Sequence, residues 1–122
     1  MAAFNWIWIE GTCPSCRQTA TLRCQTHVAS SYRGSSVRFM NFDYRLGETM
    51  RWWRKTDPEY PAWRHEGRIR GELAPDCAEE ACYSECTRCE ARLCVVLGFR
   101  DVTPVAVLGI HVESDWPSDY WK

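Results

Sequence analysis

No run of this 122-residue chain approaches the roughly 18 consecutive apolar residues of a membrane-spanning helix. The longest apolar stretches, around Val95 and Val105, are strand-sized and are separated by Arg100 and Asp101. The opening decapeptide MAAFNWIWIE has neither the basic start nor the apolar length of a secretory signal. The expectation is a cytoplasmic protein whose thiols stay reduced. Catalytic equipment is scarce as well. The three histidines, His27, His65 and His111, are scattered and form no metal-protease helix motif. There is no glycine-rich phosphate loop, and no C-x2-C opening a helix in a βαβ pattern as redox dithiols require. These absences point away from an enzyme. Excess charge is missing too: the net charge is −1, which selects no class of partner.

The charges are nevertheless segregated. Residues 17–70 hold eleven Lys/Arg against five Asp/Glu, whereas residues 71–90 hold six acidic residues and one arginine. Two features exceed ordinary usage for a chain of this length, eight cysteines and seven tryptophans.

The pattern along the chain predicts a mainly β, antiparallel fold in a single domain, 1–122. Residues 4–10 alternate aromatic and β-branched side chains, and 17–28 read as a second strand. Positions 37–46 alternate with period two, and Met50-Arg51-Trp52-Trp53 reads as the return strand. Pro58 and Pro61 oppose a regular helix in 54–70. A short helical turn is expected around Ala78-Glu79-Glu80-Ala81, then strands over 92–99 and 102–112. The acidic, aromatic tail from Trp116 to Trp121 packs back on the sheet or stays a free ligand.

Cys13-Pro14-Ser15-Cys16 and Cys86-Thr87-Arg88-Cys89 are two C-x2-C pairs, each between expected strands. Two intervening residues let a tight turn aim both sulfurs at one point, and two such turns supply a closed thiolate tetrahedron for one structural zinc ion. Cys82 is the competing ligand, lying four residues before Cys86. Cys24 and Cys94 read as small buried hydrophobes.

These knuckles resemble those of zinc-ribbon proteins, with Cys13-Pro14-Ser15-Cys16 the better match. The resemblance covers about forty residues and makes 25–80 a β-rich insertion. It departs where Arg17 and Glu90 follow the knuckles, positions at which such knuckles often carry glycine. The layout is also similar to small bacterial zinc-ribbon proteins, some of which accompany toxins as cognate inhibitors. That resemblance implies an immunity-like inhibitor or adaptor recognising a protein partner. Arg51, Trp52, Trp53, Arg54, Trp63 and Arg64 are the candidate partner-binding residues, since Trp and Arg dominate interface hot spots. The same mixture of cations and aromatic faces also suits nucleic acid, the alternative reading.

Overall fold

The computed structural model describes residues 4–30, 39–65, 69–70 and 76–116. Seven strands form one curled, mostly antiparallel sheet: β1 (Asn5–Thr12), β2 (Thr19–Thr26), β3 (Asp43–Arg45), β4 (Ile69–Arg70), β5 (Cys77–Glu85), β6 (Arg92–Arg100) and β7 (Thr103–Val112). Their order is β3-β1-β2-β5-β6-β7, with β4 pairing β5 and β3 running parallel to β1. Two 3-10 turns, Tyr60–His65 and Glu113–Asp115, complete the described elements.

The period-two patterns of β1 and β2 do what strand chemistry dictates. Ile7 and Ile9 turn inward with Leu22 and Cys24, while Trp6, Trp8 and Arg23 turn outward. Central β6 is buried on both faces. Leu93, Val95, Leu97 and Phe99 enter the main core, while Cys94 and Val96 meet Ala81 and the half-buried Trp116. The start of the tail therefore does pack on the sheet; residues 117–122 lie outside the described ones.

Three local expectations change. The segment around Ala78–Ala81 is strand rather than helical turn, because β5 pairs with β6 from Cys77↔Arg100 to Glu85↔Arg92. Of the strand expected over 37–46, only Asp43–Arg45 forms among the described residues, and Val37 and Arg38 lie outside them. The buried Asn5 amide explains this: its Nδ2 donates to Phe39 O (2.9 Å) and Ala29 O (3.1 Å), and its Oδ1 accepts from Phe42 N (2.9 Å). Those bonds, with Asn41 at φ 65°, bend 39–42 so that, among the described residues, it keeps only the backbone bonds Asn41 N to Phe4 O and Trp6 N to Phe42 O, both 2.9 Å, on its way into β3. Met50–Trp53 is not a strand either, since Met50 N donates to Val102 O and Arg51 N to the Tyr44 hydroxyl.

The joint between β2 and β5 is unusual. Only one pair of residues, Gln25↔Tyr83, is registered across it. Above that pair three β2 carbonyls accept side chains instead of backbone amides: Arg23 O from Ser84 Oγ (2.9 Å), Thr21 O from Thr87 Oγ1 (3.4 Å) and Thr19 O from Arg88 Nε (2.9 Å). Below it lies the carboxylate of Glu80, 1% exposed. It accepts from the Thr26 hydroxyl, from His27 N (2.8 Å) and from Cys82 Sγ (3.3 Å). These three donors, with the His27 ring Nδ1 3.3 Å from the same carboxylate, replace the water that a buried carboxylate loses.

Candidate metal centre

The β1-β2 and β5-β6 hairpins both end in a cysteine knuckle, and the two knuckles are built alike. In the first, Cys13 N donates to Gln18 O (3.0 Å) and Arg17 N to Cys13 O (2.7 Å). In the second, Cys86 N donates to Ala91 O (3.0 Å) and Glu90 N to Cys86 O (2.9 Å). Each turn closes through a residue in the left-handed region, Arg17 at φ 60° and Glu90 at φ 61°. These are the positions where glycine is expected, and a side chain there costs about 1 kcal/mol or more. Arg17→Gly and Glu90→Gly should each raise stability by about 1 kcal/mol without changing metal content, as measured by denaturant unfolding alongside elemental analysis.

The four sulfurs converge. All lie within 4.8 Å of one another, with Cys13 Sγ 3.7 Å from Cys89 Sγ and Cys16 Sγ 3.8 Å from Cys86 Sγ. Each close pair therefore crosses from one knuckle to the other. Four sulfurs about 2.3 Å from a shared metal sit about 3.8 Å apart along the edges of a tetrahedron, so this set can hold a metal ion. Cys13 and Cys86 are buried in the core, Cys16 is half-buried, and Cys89 is exposed.

The electrostatics of the cluster fit a cation. The backbone N–H groups of Cys89 and Arg88, working against burial, draw the Cys86 thiol down to about 7. Cys16 is pulled down by the Gln18 amide, yet burial and the sulfurs of Cys89, Cys86 and Cys13 outweigh it and push Cys16 up to about 11. One thiolate forms readily and a neighbour then resists, as crowded like charges must; a metal cation relieves that conflict.

The remaining cysteines stand apart. Cys82 is buried on β5 and bonded to Glu80, outside the four-sulfur group. Burial drives Cys24 up to about 12 and Cys94 to about 11, and lifts Cys82 well above the ordinary thiol range with help from the Glu80 charge. All three behave as neutral, packed thiols.

The Arg/Trp candidates are not brought together as one surface. Arg51 and Arg54 are exposed, and the Arg51 guanidinium lies 4.5 Å from the Phe42 ring centre. Trp53 is half-buried and meets Phe39 edge-on at 5.1 Å. Trp52 packs against the core and donates Nε1 to Tyr60 O (2.8 Å). Trp63 is 1% exposed, so it is a core residue and has no face to offer a partner. Arg64 is half-buried; it donates to Cys77 O (2.8 Å) at the start of β5.

Sequence reasoning missed a second aromatic surface. On the outer face of β1 and β2, the Arg23 guanidinium lies 3.9 Å from the Trp6 ring centre and 5.5 Å from that of Trp8. Asp43 fixes both partners, accepting from Arg23 (3.1 Å) and from Trp8 Nε1 (2.9 Å). An open groove of about 510 Å³ runs beside it, lined by Trp8, Glu10 and Glu48 among others. The alternation of Phe4, Trp6 and Trp8 was the available signal.

No family model, curated protein or solved structure matches the chain. Among the described residues no helix is long and apolar enough to cross a membrane.

Proposed function

We propose that the chain is a non-catalytic binding protein of zinc-ribbon type, built around one structural zinc ion and recognising another protein. The observation that carries this reading is the sulfur set of Cys13, Cys16, Cys86 and Cys89, whose four ligand atoms lie within 4.8 Å of one another and could fill the corners of a tetrahedron. Such a set leaves no coordination position for water or substrate, so the bound metal supplies folding free energy rather than Lewis-acid chemistry. Zinc suits an all-thiolate tetrahedron.

Recognition then falls to the surface. Trp53 and Arg54 line an open groove of about 450 Å³ together with Phe39, Asp57 and Pro58, and Arg51 is exposed nearby in sequence. Exposed arginine next to a partly buried tryptophan is the composition of an interface hot spot. An immunity-like inhibitor or an adaptor is the form of recognition that the resemblance to small bacterial zinc-ribbon proteins favours.

The test has two stages. Elemental analysis of natively purified protein should find one zinc per chain, with the four cluster thiols unmasked by a chelator. In cross-linking from extracts of the source cells, Trp53→Ala and the paired Arg51→Ala/Arg54→Ala variant should lose the captured protein while staying folded, with only a small change in melting temperature. Retained capture in both variants sinks the surface assignment. Binding to heparin or short oligonucleotides with a steep salt dependence would replace protein recognition by nucleic-acid binding.

A further inference from the structure

Trp8 is a fixed aromatic wall on the outer face of the sheet. Its indole N–H is spent on Asp43 (2.9 Å), and the Arg23 guanidinium holds Asp43 in turn (3.1 Å), which keeps the ring against the open groove of about 510 Å³ that it lines. That groove does not end at β1. A second, of about 380 Å³, starts from the same Glu10 and Thr21 and runs across β2 to Thr87 and Arg88 of the second knuckle. Together they make one cleft over the outward faces of β3, β1 and β2. Part of its lining is held by the framework: Glu48 Oε1 accepts from Arg45 N (2.7 Å), Thr87 Oγ1 donates to Thr21 O (3.4 Å) and Arg88 Nε to Thr19 O (2.9 Å). The rest is unspent. The Glu10 carboxylate, the Arg45 guanidinium and the Thr19 and Thr21 hydroxyls form no ion pair or hydrogen bond among the described residues.

We propose that this cleft binds a short, uncharged saccharide, with Trp8 as the surface on which a sugar ring packs. Charge selects the class. The acidic groups Glu10, Asp43 and Glu48 are balanced by Arg45 and Arg88 in the cleft and by Arg23 behind Asp43. A phosphate or an acidic ligand would meet Glu10 and Glu48, and a cationic one would meet Arg45 and Arg88. Hydrogen-bonding chemistry narrows it further. Carboxylates only accept and guanidinium groups only donate, so the ligand must do both at neighbouring atoms, as sugar hydroxyls do. A pyranose also presents a face of C–H groups, which packs on an indole ring while the hydroxyls at its edge reach the polar lining. An uncharged peptide carries donors and acceptors too, but its backbone adds to a strand edge, whereas β1 is already paired on both sides beneath this cleft. Each groove has the size of a small-molecule site, about 300–1,000 Å³. The cleft shares no lining residue with the groove at Trp53 and Arg54, so the inference stands apart from protein recognition there.

The experiment is saturation-transfer NMR with tryptophan-fluorescence titration of the natively purified full chain. The probes are four uncharged disaccharides (cellobiose, maltose, lactose and N,N′-diacetylchitobiose) and two charged ones, a heparin disaccharide and trilysine. At least one uncharged sugar should bind, with saturation reaching its ring C–H protons, and both charged probes should bind more weakly than that sugar. Glu10→Gln changes an exposed side chain, so it should keep the wild-type circular dichroism and metal content while weakening the sugar by about tenfold, the loss of a hydrogen bond to a charged group. Trp8→Ala should abolish the saturation transfer. Failure of all four uncharged sugars to bind at the highest soluble concentration overturns the proposal. So does tighter binding of either charged probe, or a sugar affinity that Glu10→Gln leaves unchanged.

Discussion

Cys89→Ser should lose the metal and with it the fold. Cys89 is the exposed member of the cluster, so its replacement removes a ligand while disturbing little packing. Cys13→Ser and Cys86→Ser should behave the same way, with the added cost of a hydroxyl in the core. The effect is large because a structural zinc contributes an apparent free energy of roughly 10–16 kcal/mol at neutral pH, comparable with the whole stability of about 5–15 kcal/mol of an ordinary domain. A strong chelator should therefore unfold the wild type, as should acid, since protons compete for the thiolates as pH falls. Cys24→Ala and Cys94→Ala serve as controls: both delete buried thiols, yet full metal content and a cooperative melt are expected. Circular dichroism and elemental analysis of the five variants decide the matter. A folded, metal-loaded Cys89→Ser would remove that residue from the site.

The second large effect is Trp63→Ala. Its ring is 1% exposed in the main core and is faced by the Arg64 guanidinium at 5.1 Å. Truncating a buried tryptophan costs about 3–5 kcal/mol, which in a chain this size lowers the melting temperature by roughly 10–20 °C. Trp53→Ala, ten residues earlier, should shift it far less. Thermal melts of the two variants side by side test the assignment; equal shifts would contradict the difference in burial.

That contrast shows where reading the sequence succeeds. β1, β2, β6 and β7 were legible because their alternation or β-branched content is local and strong. The four-cysteine cluster was legible because the C-x2-C spacing is itself a short-range geometric requirement. Their cross-pairing, Cys13 with Cys89 and Cys16 with Cys86, depends on how two distant hairpins face one another. β5 was misread because Ala78-Glu79-Glu80-Ala81 has local helix preference, which nine registered pairs with β6 override. Glu80 gave no sign of being buried, since its donors come from the end of β2 and from Cys82. Which tryptophan enters the core was likewise decided by the 3-10 turn Tyr60–His65, a feature without period-two alternation.

The single registered pair between β2 and β5 has a consequence for cooperativity. A sheet normally melts as one unit because each ladder transmits the loss of its neighbour. Within the sheet, one hairpin group, β3-β1-β2, registers with the other, β5-β6-β7, at Gln25↔Tyr83 alone, beside a few side-chain bonds, and each group contributes one cysteine knuckle. The ladder between them is thin, so their coupling falls to the shared core and to the bonds Gly47 N to Pro104 O and Met50 N to Val102 O. A metal ion held by both knuckles, as proposed above, would add to that coupling: neither group could leave without giving up two of its four bonds. Such an ion would fasten the sheet where its ladder is weakest, and so bear on how cooperatively it melts as well as on how stable it is.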